Sequence, residues 1–135
     1  MRRLGANALC RKKLLLKKKP LLKKESQVKK FHHIGLVTDT QKPGEMYFES
    51  LKVWGTNPDA DPNKIEWVRF SPDSPLAKTA VAKGPHVSWA VDDLDAEIAE
   101  IPGEDMVVGP LAVGEGIRIA YFWMDGALVE YLEIK

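Results

Sequence analysis

The sequence predicts an α+β domain of two similar halves, preceded by a strongly basic extension. Three observations carry that expectation. Beyond Lys30 the chain falls into short strand-like runs bounded by turn residues, with helical patterns between some of them. Two pairs of these runs align without a gap, "HIGLVTD" (33–39) with "HVSWAVD" (86–92) and "IEWV" (65–68) with "VEYL" (129–132). Each half therefore opens on a strand that begins with histidine and closes on a strand that carries glutamate. Finally, residues 1–30 hold 12 Lys/Arg and one acid, Glu25, whereas residues 31–135 hold 8 Lys/Arg and 18 Asp/Glu. The near-neutral total of +1 thus hides a basic extension and an acidic body.

The elements follow in order. "FHHIGLVT" (31–38) reads as the first strand. Pro43 opens a short helix, "PGEMYFESLKV", with Met46, Phe48 and Leu51 as its buried positions, because proline suits a first helical turn. "GTNPDADPN" is a turn-rich loop, and "KIEWVRF" (64–70) is the next strand. "SPDSPLAKTAVAKG" reads as a linker with a helical turn, and "PHVSWAV" (85–91) as another strand. "DDLDAEIAEIPG" has the best helix signals: Asp92 or Asp93 as N-cap, Leu94, Ile98 and Ile101 on one face, then Pro-Gly as the stop. "MVVGPLAV", "IRIAYFWM" and "ALVEYLEI" close the chain, the last two joined by Asp125-Gly126, a strong hairpin signal.

At 135 residues the chain suits one compact domain, residues 31–135, plus the extension, residues 1–30. A content of 44% hydrophobic and 29% charged residues is that of a soluble globular protein. No uninterrupted apolar run approaches the ~20 residues that span a bilayer, so no transmembrane helix is expected. The single cysteine, Cys10, has no internal disulfide partner and no zinc-site spacing around it, which suits a reducing, cytoplasmic compartment. The extension, with "RKKLLLKKKPLLKK" at its centre, reads as a transit peptide, a membrane-surface or nucleic-acid-binding arm, or upstream sequence without function. A transit peptide would place the protein in an organelle instead. Nucleic-acid binding is the weaker reading, since no aromatic residue interleaves the lysines, and none is expected of the body.

Side chains alternate along a strand, so His33 shares a face with Gly35 and Val37, while His32, Ile34 and Leu36 point the other way. The same count groups His86 with Ser88 and Ala90, Glu66 with Val68 and Phe70, and Glu130 with Leu132. Trp67, Trp89, Val129 and Tyr131 occupy the opposite faces, suited to packing under helices. A polar group among small or apolar neighbours needs partners, because an unpaired buried one costs about 1–3 kcal/mol. If the halves pack face to face, the two imidazoles and two carboxylates can partner one another through a divalent ion such as zinc, nickel, cobalt, manganese or ferrous iron. By alternation His32 is a structural or surface residue.

The stretches "HHIGLVTD", "GPHVSWAVDDLDAEI" and "GIRIAYFWMDGALVEYLEI" together resemble the vicinal oxygen chelate superfamily, which includes glyoxalases, epimerases, fosfomycin-resistance enzymes, extradiol dioxygenases and bleomycin-binding proteins. The resemblance covers residues 31–135 and none of the extension. It implies two βαβββ modules forming a curved mixed sheet around a central cleft. Carried over by position, it implies His33, Glu66, His86 and Glu130 as metal ligands, with Glu66 or Glu130 also serving as the catalytic base. It further implies pairing into a homodimer. One departure stands out: 33 positions separate His33 from Glu66, against 44 from His86 to Glu130, so the first module is shortened in a strand or in much of its helix.

The leading expectation is a metal-dependent isomerase, epimerase or lyase acting on a small α-oxygenated carbonyl compound through a metal-chelated enediolate. The alternatives are a metal-free small-molecule binding protein of the same fold and an extradiol-type iron dioxygenase. The acidic body disfavours a highly anionic substrate such as a coenzyme A ester. The tryptophans, 54, 67, 89 and 123, read as core or dimer packing, Arg118 as a surface ion pair, and Gly114 to Gly116 as a loop beside the pocket without the spacing of a phosphate cradle.

Overall fold

The structure, a computed structural model, describes residues 29–135; the proposed extension lies outside them except for Lys29 and Lys30. Eight strands form one curved mixed sheet: β1 (Lys29–Val37), β2 (Met46–Phe48), β3 (Val53–Gly55), β4 (Ile65–Phe70), β5 (His86–Val91), β6 (Met106–Ala112), β7 (Ile117–Met124) and β8 (Ala127–Ile134). A short helix, α1 (Leu94–Ile98), follows β5. The strand order is β2-β3-β4-β1-β5-β8-β7-β6. The two histidine strands, β1 and β5, are therefore antiparallel neighbours at the centre. Each pairs on its other side, in parallel, with the glutamate strand of its own half, β4 on β1 and β8 on β5. Read outward from the centre, both halves repeat one order, so the repeat seen in the sequence is a repeat of structure. A parallel pair needs a long crossover, which β2 and β3 make in the first half and α1, β6 and β7 in the second.

The segment after Pro43 departs from expectation, because it is not helical. Gly44 at φ 79° opens a turn, and β2 and β3 form a hairpin whose connection holds Lys52 at φ 53°. Tyr47, Phe48, Val53 and Trp54 are aromatic or β-branched, and their fit to a pleated surface outweighs the proline signal. Leu51 is buried as expected, Phe48 only partly, and Met46 is 61% exposed. The first half thus has no α-helix between its strands, only a 3-10 turn at Pro58–Ala60, and its two outer strands have three residues each, which accounts for the short spacing from His33 to Glu66.

The second half keeps its helix. Asp93 caps it by accepting from the Ala96 amide at 3.1 Å, and the buried Glu133 carboxylate accepts from the Leu94 amide at 2.8 Å. Leu94 is fully buried, and α1 covers a cluster that includes Phe122, Val129 and Tyr131, with Trp89 against it. Trp67 has no helix above it; instead the Lys42 ammonium lies 4.4 Å from its ring. Asp125 and Gly126 link β7 to β8 at φ 53° and 82°, the two positive values that a type I′ hairpin turn requires. The inner face of the sheet buries Leu51, Val53, Val68, Ile119, Leu128 and Leu132, closed from the linker by Leu76 and Val81. No helix among the described residues is long and apolar enough to cross a membrane.

Candidate metal centre

Register brings the four sequence-predicted residues together. His33 stands opposite Ser88 and His86 opposite Gly35 across the central strand pair. Glu66 pairs with Gly35, and Glu130 with Ser88, across the flanking parallel pairs. His33 and Glu66 of one half and His86 and Glu130 of the other therefore meet on the inner face, with imidazole centroids 5.5 Å apart. His33 Nε2 lies 3.0 Å from Glu66 Oε1 and 3.3 Å from Glu130 Oε1, and His86 Nε2 lies 3.4 Å from the same Glu130 oxygen. His33, Glu66 and His86 each present a ligand atom within 4.8 Å of the other two. Glu130 touches both imidazoles but stands outside that trio of mutually close atoms.

Two glycines make room for the centre. A Cβ on Gly35 would lie 2.1 Å from His86 Cε1, so the His86 ring occupies the space that any other residue would fill. On β3, a Cβ on Gly55 would lie 2.9 Å from Glu66 Oε2.

The donor set suits a divalent cation. His33 Nε2, His86 Nε2 and Glu130 Oε1 are buried without a hydrogen bond, although the two nitrogens stand 3.3 and 3.4 Å from that oxygen. Leaving such groups unsatisfied costs about 1–3 kcal/mol each, and a cation held by His33, His86 and Glu66 would satisfy both nitrogens and offset the Glu130 charge beside them. Without a cation the charges partition otherwise. Burial pulls the His33 imidazole down, but its contacts with Glu130 and Glu66 prevail and raise it to about 9. Burial likewise pushes the Glu130 carboxyl up, and the two imidazoles outweigh it, holding Glu130 well below the usual carboxylate range.

His32 overturns the alternation argument. The β1–β5 register shifts between Phe31 and His33, and this bulge turns His32 onto the wall of the inner cavity. His32 Nδ1 lies 2.7 Å from His33 Nδ1. Burial and the neighbouring His33 charge lower the His32 pKa, so His33 Nδ1–H is the donor and His32 Nδ1 the acceptor. That contact orients the His33 ring so that Nε2 faces Glu66 and Glu130, as the outer partner of a ligating histidine does. Sequence reasoning also missed Tyr121. Its ring packs edge-on to His86 with centroids 5.2 Å apart, and burial and the Glu130 charge push its phenol well above the ordinary value. The signal was present, since Tyr121 alternates with Ile117 and Ile119 on β7 and pairs directly with Glu130.

A cavity of about 400 Å³ opens from the centre along the inner face. The loop at 114–116 adjoins it through Val113 and Ile117, as its sequence suggested. No tryptophan lines it. Trp54 instead packs between Tyr47, with centroids 4.7 Å apart, and Arg69, 4.0 Å from its ring. Arg118 forms the expected ion pairs, to Asp95 at 3.0 Å and Glu133 at 3.2 Å.

No protein-family model matches the sequence, and no curated protein does. Among solved structures the chain is similar to a hypothetical protein, BH1468, from Bacillus halodurans C-125, at 19% identity and a TM-score of 0.55 over 79% of this chain and 95% of that one. It is also similar to methylmalonyl-CoA epimerase from Mycobacterium tuberculosis, at 16% identity and a TM-score of 0.53 over 78% of this chain and 88% of that one. At these identities the likeness is one of fold, the curved sheet of two similar halves.

Proposed function

We propose that the chain is a divalent-metal-dependent isomerase, epimerase or lyase acting on a small carbonyl compound with an adjacent oxygen. The observation that carries this reading is the His33–Glu66–His86 trio, its two imidazoles buried with both Nε2 atoms lacking hydrogen bonds and its His33 and Glu66 lining a cavity. The epimerase among the structural neighbours supports the reaction class. A divalent cation held by His33, Glu66 and His86 would supply Lewis acidity to two substrate oxygens.

The chain's own groups do the rest. Glu130, outside the trio and ionised, is the carboxylate that takes the proton next to the substrate carbonyl through Oε1. Tyr121, held neutral, keeps a phenol hydrogen to donate toward Glu130 or a substrate oxygen. His32 orients His33, and the apolar cavity walls keep water from competing for the proton. We further propose a homodimer, in which the uncovered outer face of the first half, with Ile34 and Tyr47 exposed, is closed by a second copy.

Elemental analysis of protein purified without chelator tests the metal reading. One equivalent of divalent metal is expected, falling below a tenth in His33→Ala and His86→Ala. Less than half an equivalent, unchanged by those substitutions, leaves the second reading, a small-molecule binding protein without turnover, which the apolar cavity favours.

A further inference from the structure

The cavity walls narrow the substrate class. Leading away from the trio, the inner face presents Leu51, Val53, Val68, Phe70, Ile119 and Leu132. Among the described residues no lysine or arginine lines the cavity, and its inner carboxylates are those of Glu66 and Glu130, the Asp59 carboxylate at its edge being exposed and paired with Lys64 at 2.6 Å. The arginines of β4 and β7, Arg69 and Arg118, alternate with the inward residues and stand on the outer face, where they are committed. Arg69 binds Glu45 and lies on the Trp54 ring, and Arg118 binds Asp95 and Glu133. At the mouth, Met46 and Ile134 line the cavity yet stand 61% and 59% exposed, so the apolar lining continues outward to solvent.

Resting on the reading of the trio as a metal centre, we infer that the substrate joins a chelating pair of oxygens to an uncharged aliphatic or aromatic body, which lies along this wall and covers Met46 and Ile134. Three facts require it. The cavity volume is that of a small-molecule site rather than a solvent pore. Its walls gain by shedding water only if the body is apolar. A phosphate or carboxylate on the body would meet carboxylates and no cation, in a setting that screens charge poorly.

The test uses the full chain loaded with cobalt(II) and three hydroxamic acids, whose two vicinal oxygens chelate, measured by calorimetric titration. Acetohydroxamic acid presents the chelating head alone, octanohydroxamic acid adds an apolar tail, and suberic monohydroxamic acid ends a similar tail in a carboxylate. Each methylene that leaves water strengthens binding about fourfold, so octanohydroxamate is expected to bind at least about 100-fold more tightly than acetohydroxamate. The terminal carboxylate is expected to remove most of that gain, and Ile134→Lys, an exposed site that folding tolerates, to restore part of it. Equal affinities for the acetyl and octanoyl probes, or a carboxylate-ended probe that binds as well as octanohydroxamate, would overturn the inference while leaving the metal reading intact. Titration of 1-octanol into metal-free protein separates the two claims. If it binds as tightly as octanohydroxamate does to the loaded protein, the apolar site stands and the metal reading fails.

Discussion

Because His33 sits at about 9 beside Glu66 and Glu130, a cation entering the centre has to displace a proton. Raising the pH of a metal titration is the perturbation. At pH 7 about one molecule in a hundred has a neutral His33, and at pH 9 about half do, so the apparent affinity should rise about 50-fold between these values, close to tenfold per unit at first. At pH 7 binding should also release about one proton per cation, from His33. Isothermal titration with cobalt(II) in two buffers of different ionisation enthalpy reads both quantities at once. In His33→Gln, which cannot hold that proton, the remaining affinity should vary less than threefold over the same range. An affinity flat from pH 7 to 9 with no proton released would refute the reasoning, since either His33 is neutral in the metal-free protein or it is not a ligand.

The same charge stabilises the metal-free fold. A folded-state pKa of about 9 against 6.5 unfolded contributes about 3 kcal/mol that is full below pH 6.5, declines above it and is gone once pH passes 9. Metal-free protein should therefore melt several degrees lower at pH 9.5 than at pH 6.5 by calorimetry, and His33→Gln should lose that dependence. Glu130, depressed in the folded state, acts in the opposite sense: its contribution is present above about pH 4.5 and lost as the medium is acidified below it, which circular dichroism during acid titration follows. Gly35→Ala should move the His86 ring by more than an ångström and weaken cobalt binding about 100-fold, whereas an alanine at Gly84, where a new Cβ meets nothing, should leave it unchanged. Glu130→Gln should retain its metal by elemental analysis while any proton exchange next to a substrate carbonyl, followed by deuterium incorporation, falls 10²- to 10⁴-fold. Glu66→Gln should instead lose metal first.

How much of this was legible in the chain depended on which signals are local. The D-G turn, the cap at Asp93 and the strands at "KIEWVRF" and "PHVSWAV" rest on backbone preferences that act within a few residues, and all appear in place. The helix expected after Pro43 failed because proline tolerates a first helical turn without requiring it, and "MYF" gains more as a strand paired to "VWG", which pairs in turn to β4. His32 failed for a related reason, since alternation assumes an unbroken pleat and the bulge at its position depends on the pairing of β1 with β5.

The strand runs predicted an α+β chain, and the internal repeat together with the resemblance it supports pointed to the curved sheet and to His33, Glu66, His86 and Glu130, because two copies of one strand pattern put like residues at like places. Only the tertiary structure decided their separations, for these depend on strands far apart in sequence: the diagonal register of β1 against β5, the space that Gly35 leaves for His86, and the Tyr121 and His32 rings that close around the group. It also decided that Glu130 meets both imidazoles and that, among the described residues, no lysine or arginine lines the cavity, since those facts follow from which side of a folded sheet each charge occupies. A residue's type sets what chemistry it can perform, and its neighbours across the sheet set whether it can.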